Sequence, residues 1–294
     1  VPPAPTIGII QPTGVTFSFA KEPSLPATVP IYAYTDFTRT ELESSIVSVL
    51  SGYAIPATST SLLRAGVFTR EWSRDGAMIS LQEESGTSTV TFRQAAARGV
   101  PATPQNNQGI AQNFIARLVP PSAPIALTPA GVTNDIAEGI LITDSLGVRS
   151  LGGYLYSYTI DALPIVPYPF TSRTSFAIVD NLGIVRSATI HPAPKTVTAA
   201  GQAPILTASD ILVNLSARRG ALISAATQED PSAAGTIAFT VFRIDAVSVV
   251  YARNQGLLLP AFIIHGEGTT ARGTGQEATF FLWASPVSQP APAN

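Results

Sequence analysis

The feature that most constrains this chain is an apolar residue at every second position, in short runs closed by glycine, proline or charge. Gly235-Thr236-Ile237-Ala238-Phe239-Thr240-Val241-Phe242-Arg243-Ile244 is a long run of this kind, and 246–251, 257–264 and 278–283 follow at close spacing. Nearer the start, 15–19 and 77–81 alternate, and 87–92 does so more loosely. Period two sends successive side chains to opposite faces of a strand, so each run can bury one face in a sheet. Many such runs joined by polar turns predict an all-β sandwich or barrel.

One helix is well specified. Thr38 and Thr40 stand three residues before Glu41 and Glu43, which makes two overlapping capping boxes. Leu42, Ile46, Val49 and Leu50 then form a single apolar stripe, and Gly52 is placed to end it. Weaker helical patterns run over 93–98 and 108–118. The segment 209–218 fits helix or strand, and strand is the reading adopted. Asp144-Ser145-Leu146-Gly147 is echoed 36 residues later by Asp180-Asn181-Leu182-Gly183. Asp braces a turn and Gly supplies positive φ, so both are read as hairpin connections of one sheet. With proline-rich flanks at 119–124 and 191–194, these hairpins mark 124–200 as an inserted β domain. The parent domain is then built from 1–123 and 201–294.

Composition removes whole classes of function. Charged residues make up 12% of the 294, about half the usual share, and the net charge is −2. Thr and Ser number 31 and 26, so hydroxyls rather than charges wet the surface. The apolar content of 45% excludes a disordered chain, and the absence of cysteine excludes a disulfide scaffold. Bulk charge gives nucleic acid no basic face to bind. The strongest apolar run, 257–264, is too short for a transmembrane helix. Val1-Pro2-Pro3-Ala4-Pro5 has neither a basic nor an apolar leader segment, so a secretion signal is expected to be absent or already removed. Arg outnumbers Lys 15 to 2, which is read first as GC-rich coding bias.

Motifs for chemistry are sparse. His191 and His265 are the only histidines and lack ligand spacing, so structural roles are expected and no metal or cofactor is implied. There is no Gly-x-Ser-x-Gly element, and the carboxylate pairs Glu83-Glu84 and Glu229-Asp230 read as solvated turn charges. The glycine-rich stretch 266–275 lacks the Gly-Lys-Ser/Thr ending of a phosphate loop and reads as a β–β connection. Asn214-Leu215-Ser216 matches a glycosylation acceptor within an expected strand, and Arg218-Arg219 is too small a basic patch for nucleic acid. No catalytic residue is expected, and the protein is read as a non-enzyme. Two features suit contact with other molecules. Tyr154, Tyr156 and Tyr158 share one face of a strand, which is either a contact surface or a covered sheet face. The proline-rich ends (Val1, Pro2, Pro3 and Pro5; Pro286, Pro290 and Pro292) are either frayed or arms laid on a neighbouring subunit.

The leaderless Val1-Pro2-Pro3 start, the β-dominated ends and the inserted unit near 124–200 resemble a known family. It is the major capsid proteins of tailless icosahedral phages with an internal membrane, of the single vertical β-barrel type. Its members include the larger of the two major capsid proteins of Thermus phages. The resemblance implies a jelly-roll β-barrel with an added turret-like β domain and one or two short helices. It also implies assembly with itself and a second capsid protein into a virion, with lipid at the inner face and no direct contact with nucleic acid. The alternatives are a secreted or surface β-sandwich binding module, an extracellular adhesin or carbohydrate binder, and, third, a β-sandwich enzyme.

Overall fold

A computed structural model of the chain describes residues 14–84, 86–94, 106–133, 151–166, 175–180, 183–227, 239–270 and 275–286. In chain order the first strands are β1 (Thr16–Phe19), β2 (Thr28–Thr35), β3 (Thr60–Arg64), β4 (Val67–Arg74), β5 (Ala77–Glu84), β6 (Thr87–Gln94), β7 (Ala126–Thr133) and β8 (Leu151–Ile160). Then come β9 (Leu163–Val166), β10 (Ser175–Asp180), β11 (Val185–Ile190), β12 (Thr196–Pro204), β13 (Ala221–Thr227), β14 (Phe239–Asn254), β15 (Leu257–Thr270) and β16 (Gly275–Trp283). The helices are α1 (Arg39–Leu50), α2 (Asn107–Leu118) and α3 (Ala208–Ser216), with a 3-10 turn at Ser51–Tyr53. The described residues are thus mostly β with three short α-helices, as the period-two runs require.

Two compact units divide the chain. The first comprises 1–34, 162–172 and 198–294; the second comprises 35–161 and 173–197. Within 124–200, β7, β8, β10 and β11 fall in the second unit, which also holds α1, β3 to β6 and α2, while β9 falls in the first. The physical reason is a strand pair: β11, inside that segment, is hydrogen bonded to β6, outside it.

In the second unit eight strands lie in the order β7-β8-β10-β11-β6-β5-β4-β3, each antiparallel to its neighbours. It is one arrangement used twice, a helix followed by four strands, with the two sets meeting at β6 and β11. Cross-strand register lays Trp72, Ile79, Phe92, Ala188, Ala177 and Tyr154 in one row. This row faces the helices: Phe92 stacks 4.9 Å from Phe114 of α2, and Tyr53 closes on both rings. Against it pack Leu42, Ile46, Val49 and Leu50 of α1 and Ala111, Phe114, Ile115 and Leu118 of α2. The next row, on the opposite face, reads Thr60, Glu71, Ser80, Thr91, Thr189, Phe176 and Leu155.

In the first unit β14 and β15 form a long hairpin, extended by β16 and then β13. The outer edge of β14 takes β1 and β9 in parallel pairing. Phe17, Phe242 and Phe280 meet edge to face at 5.1–5.8 Å in a core that α3 closes with Ile211 and Leu215. Val250, Ala252, Phe281 and Trp283 fill a second cluster.

Several local expectations change. The segment 209–218 is helical, not a strand: Thr207 caps α3 through a capping box with Asp210, and Ala208, Ile211 and Leu215 are buried at helical spacing. A side chain that bonds the free N–H groups of the first turn favours the helix start over an extended chain. The α1 helix is capped by Thr38 as expected, but it passes into the 3-10 turn, and Ala54 rather than Gly52 takes the left-handed conformation. Of 93–98, Arg93 and Gln94 belong to β6 and the rest lies outside the described residues. The glycine-rich stretch 266–275 is largely ladder, with Gly266–Thr270 in β15 and Gly275 in β16. A Cβ on Gly266 would lie 2.1 Å from the Arg243 carbonyl, and one on Gly268 2.4 Å from the Phe239 ring. Glycine is needed there for close packing, not for looping.

Candidate functional site

The tyrosine stripe points inward. Tyr156 and Tyr158 are 1% and 6% exposed, and the Tyr156 hydroxyl donates to the Gln108 carbonyl of α2. Burial pushes the Tyr156 phenol up to about 12. Of the two readings of Tyr154, Tyr156 and Tyr158, contact surface or covered face, the covered one holds at Tyr156 and Tyr158, with Tyr154 partly buried, because the register puts Tyr154 and Tyr156 in line with Ala177 and Ser175 under α2. Period two showed which residues share a face but not what covers it. Of the expected arms, Pro286 is exposed; Val1, Pro2, Pro3, Pro5, Pro290 and Pro292 lie outside the described residues.

The remaining candidates are spread out. Nδ1 of His191 lies 3.4 Å from the Thr89 hydroxyl in the second unit, and Nδ1 of His265 lies 2.8 Å from the Thr279 hydroxyl in the first. Glu83 accepts from Arg39, whose guanidinium sits 3.8 Å over the Phe68 ring, while Glu84 is exposed. Glu229 and Asp230 lie outside the described residues. Asn214 is buried in α3, donating to the Asp210 carbonyl and accepting from Arg219. That position does not offer a free amide for glycan attachment. Among the described residues no three His, Asp or Glu side chains converge as a metal site would need, and no helix is long and apolar enough to cross a membrane.

An open groove of about 320 Å³ is lined by Tyr53, Ala54, Arg74, Asp75, Gly76, Ala77 and Gln94. Arg74 is engaged there with the Ala54 carbonyl, and burial raises the Tyr53 phenol. The lining holds no nucleophile beside a base, so it provides shape without reactive chemistry.

What sequence reasoning missed is an edge. β3 closes the sheet of the second unit, and all five of its residues are exposed. Leu62 and Leu63 project to opposite faces and remain 61% and 72% exposed. At the other end of the same sheet, β7 carries Pro129 and a register shift between Pro129 and Gly131, two devices that discourage a further strand. β3 has neither. Its Thr-Ser-Leu-Leu-Arg sequence does not alternate, so periodicity gave no sign of it.

No protein-family model and no curated protein matches the chain. Among solved structures it is similar to the crystal structure of an uncharacterized protein from Eubacterium rectale ATCC 33656, with a TM-score of 0.51 and 8% identity. The similarity covers 96% of this chain and 92% of that one. At this identity the likeness is one of fold.

Proposed function

We infer that the protein is a structural, non-enzymatic shell subunit. It assembles with copies of itself and with a second coat protein, over a lipid membrane, into an icosahedral virion. The observation that carries this reading is the unguarded β3 edge, with two leucines more than half exposed on a strand that no described residue covers beyond β4. An open edge is a template for another chain, and a chain that leaves one bare is suited to having it paired. The low charge agrees, since charged residues are depleted at interface cores. The jelly-roll barrel and turret-like 124–200 insertion implied by the capsid resemblance belong to the same proposal. The adhesin or carbohydrate-binding alternative is weakened, because its aromatic platform is buried.

The test is assembly. The chain is concentrated alone, with anionic and zwitterionic vesicles, and with any candidate small coat protein found encoded near it, then followed by sedimentation and negative-stain microscopy. Closed shells or regular sheets are the expected result. A chain that stays monomeric in all of these conditions overturns the reading.

A further inference from the structure

We propose that the β3 edge pairs with the β3 edge of a second copy of this chain, antiparallel about a two-fold axis through Leu62. This contact rests on the assembly reading above and names one partner within it. From Ser44 to Leu63 the chain carries no charge, so within β3 only Arg64, at the strand's end, is charged. A two-fold normal to the sheet keeps each side chain on its own face, so only registers centred on a residue are allowed. Centring on Leu62 is the register that pairs all five residues of Thr60–Arg64. It sets Leu62 against its own copy, Ser61 against the partner's Leu63, and Thr60 against the partner's Arg64.

Charge selects this partner. Among the described residues, the side chains of Arg64 and Glu71 have no hydrogen bond or ion pair. Thr60 lies directly across from Glu71, and both stand on the same face as Arg64. In the two-fold pair the partner's Arg64 lies in the row of Thr60 and Glu71, two strand spacings from Glu71. That is about 10 Å between Cα atoms, which the two long side chains bridge over the small threonine. The contact occurs twice by symmetry. The two arginines lie at opposite ends of the paired strands, about 13 Å apart along the chain direction, so they do not repel strongly.

The chain has no cysteine, which makes the test clean. Leu62→Cys places a thiol directly opposite its own copy, within the Cα separation that a disulfide accepts. Leu63→Cys lies across from the partner's Ser61, so its own copy is a diagonal neighbour at about 8 Å, beyond that range. Under mild oxidation L62C is expected to cross-link at least tenfold faster than L63C, with unchanged circular dichroism. By sedimentation equilibrium, R64E and E71R are each expected to weaken the dimer about tenfold, and the double variant to restore it. Equal cross-linking at the two positions, or a double variant no better than the singles, overturns the contact. Shells formed with a second coat protein while L62C stays uncross-linked overturn the contact and leave the shell reading standing. Specific L62C cross-linking without shells does the reverse.

Discussion

Asp180 ties a hairpin turn, a buried arginine and a helix together through its carboxyl and carbonyl. Its Oδ1 accepts the Ile184 N–H at 2.9 Å, its Oδ2 accepts Nε of Arg186 at 2.6 Å, and its carbonyl accepts from Asn107 of α2. The Asp180 and Arg186 side chains are 7% and 4% exposed, so the pair sits in a medium where a lone charge is costly. Asp180→Asn keeps an acceptor for Ile184 but removes the carboxylate charge that Arg186 binds. The expected loss is about 3–5 kcal/mol of stability, the usual cost of removing one partner of a buried ion pair. Trp72 and Trp283 are the two tryptophans and fall one to each unit, so Trp283→Phe leaves Trp72 to report urea unfolding of the unit concerned. A change below about 1 kcal/mol would contradict the buried-charge argument. Glycines give a second residue-scale prediction. Gly266→Ala meets backbone that cannot yield, and Gly268→Ala meets a buried ring, so both are expected to destabilise by about 1–3 kcal/mol or more, Gly266 the more severely. Gly52→Ala meets no atom within 4 Å and keeps a negative φ, and is expected to gain about 0.4–1 kcal/mol. Thermal unfolding of the three variants ranks them.

Each helix start has an identifiable anchor. Thr38 and Thr207 close capping boxes with Glu41 and Asp210, and Asn106 caps α2 alone. Thr207→Ala is expected to cost about 1 kcal/mol, read as a lowered urea midpoint with the slope unchanged. At α1 the Lys195 ammonium, followed by the Thr38 backbone and hydroxyl, holds the Glu41 carboxyl down at about 2. A folded-state pKa below the unfolded value of 4.5 means that the ionised form stabilises. That contribution is complete above pH 4.5 and is lost as pH falls toward 2. Glu41→Gln is expected to flatten acid-induced unfolding in that window, and an unaltered profile would show that the exposed cluster contributes nothing. The α1 box was legible because Thr38, Glu41 and the apolar stripe all fall within one helix length. The α3 box was equally present in Thr207 and Asp210, but it was outweighed by the apolar run 211–215, which suits either period. The repeat of a helix and four strands was not legible. Thr38 and Asn106 are 68 residues apart, whereas β6 and β11 begin 98 apart, because β8 and β10 are separated by a passage through the first unit. A duplication without a fixed period leaves no periodic trace in the sequence. Of the candidate site, the tyrosines were legible as sharing one face, but what covers that face was not. The exposed β3 edge was not legible, since its exposure depends on where the sheet stops.

For the molecule as a whole, the scarcity of charge has a consequence that can be measured. Ion pairs among the described residues of the second unit tie local elements: Arg39 with Glu83, Arg70 with Glu43, Arg74 with Asp75, Lys195 with Glu41, and Arg186 with Asp180. A net charge of −2 neither attracts nor repels a partner strongly at long range. Association through β3 must then come from backbone pairing and the two leucines, with the Arg64–Glu71 contacts setting register. Exposed ion pairs are worth about 0.2–1 kcal/mol each and are screened by salt, whereas apolar burial and strand pairing are not. Two such pairs per dimer therefore allow salt to remove at most about 2 kcal/mol, or roughly thirtyfold in affinity. Sedimentation equilibrium between low salt and 1 M NaCl is expected to show a shallow dependence of this size. In R64E or E71R alone the slope should vanish or reverse, because like charges then face each other across Thr60. A loss of several hundredfold in the unaltered protein would mean that charge drives assembly, contrary to what 36 charged residues in 294 lead one to expect.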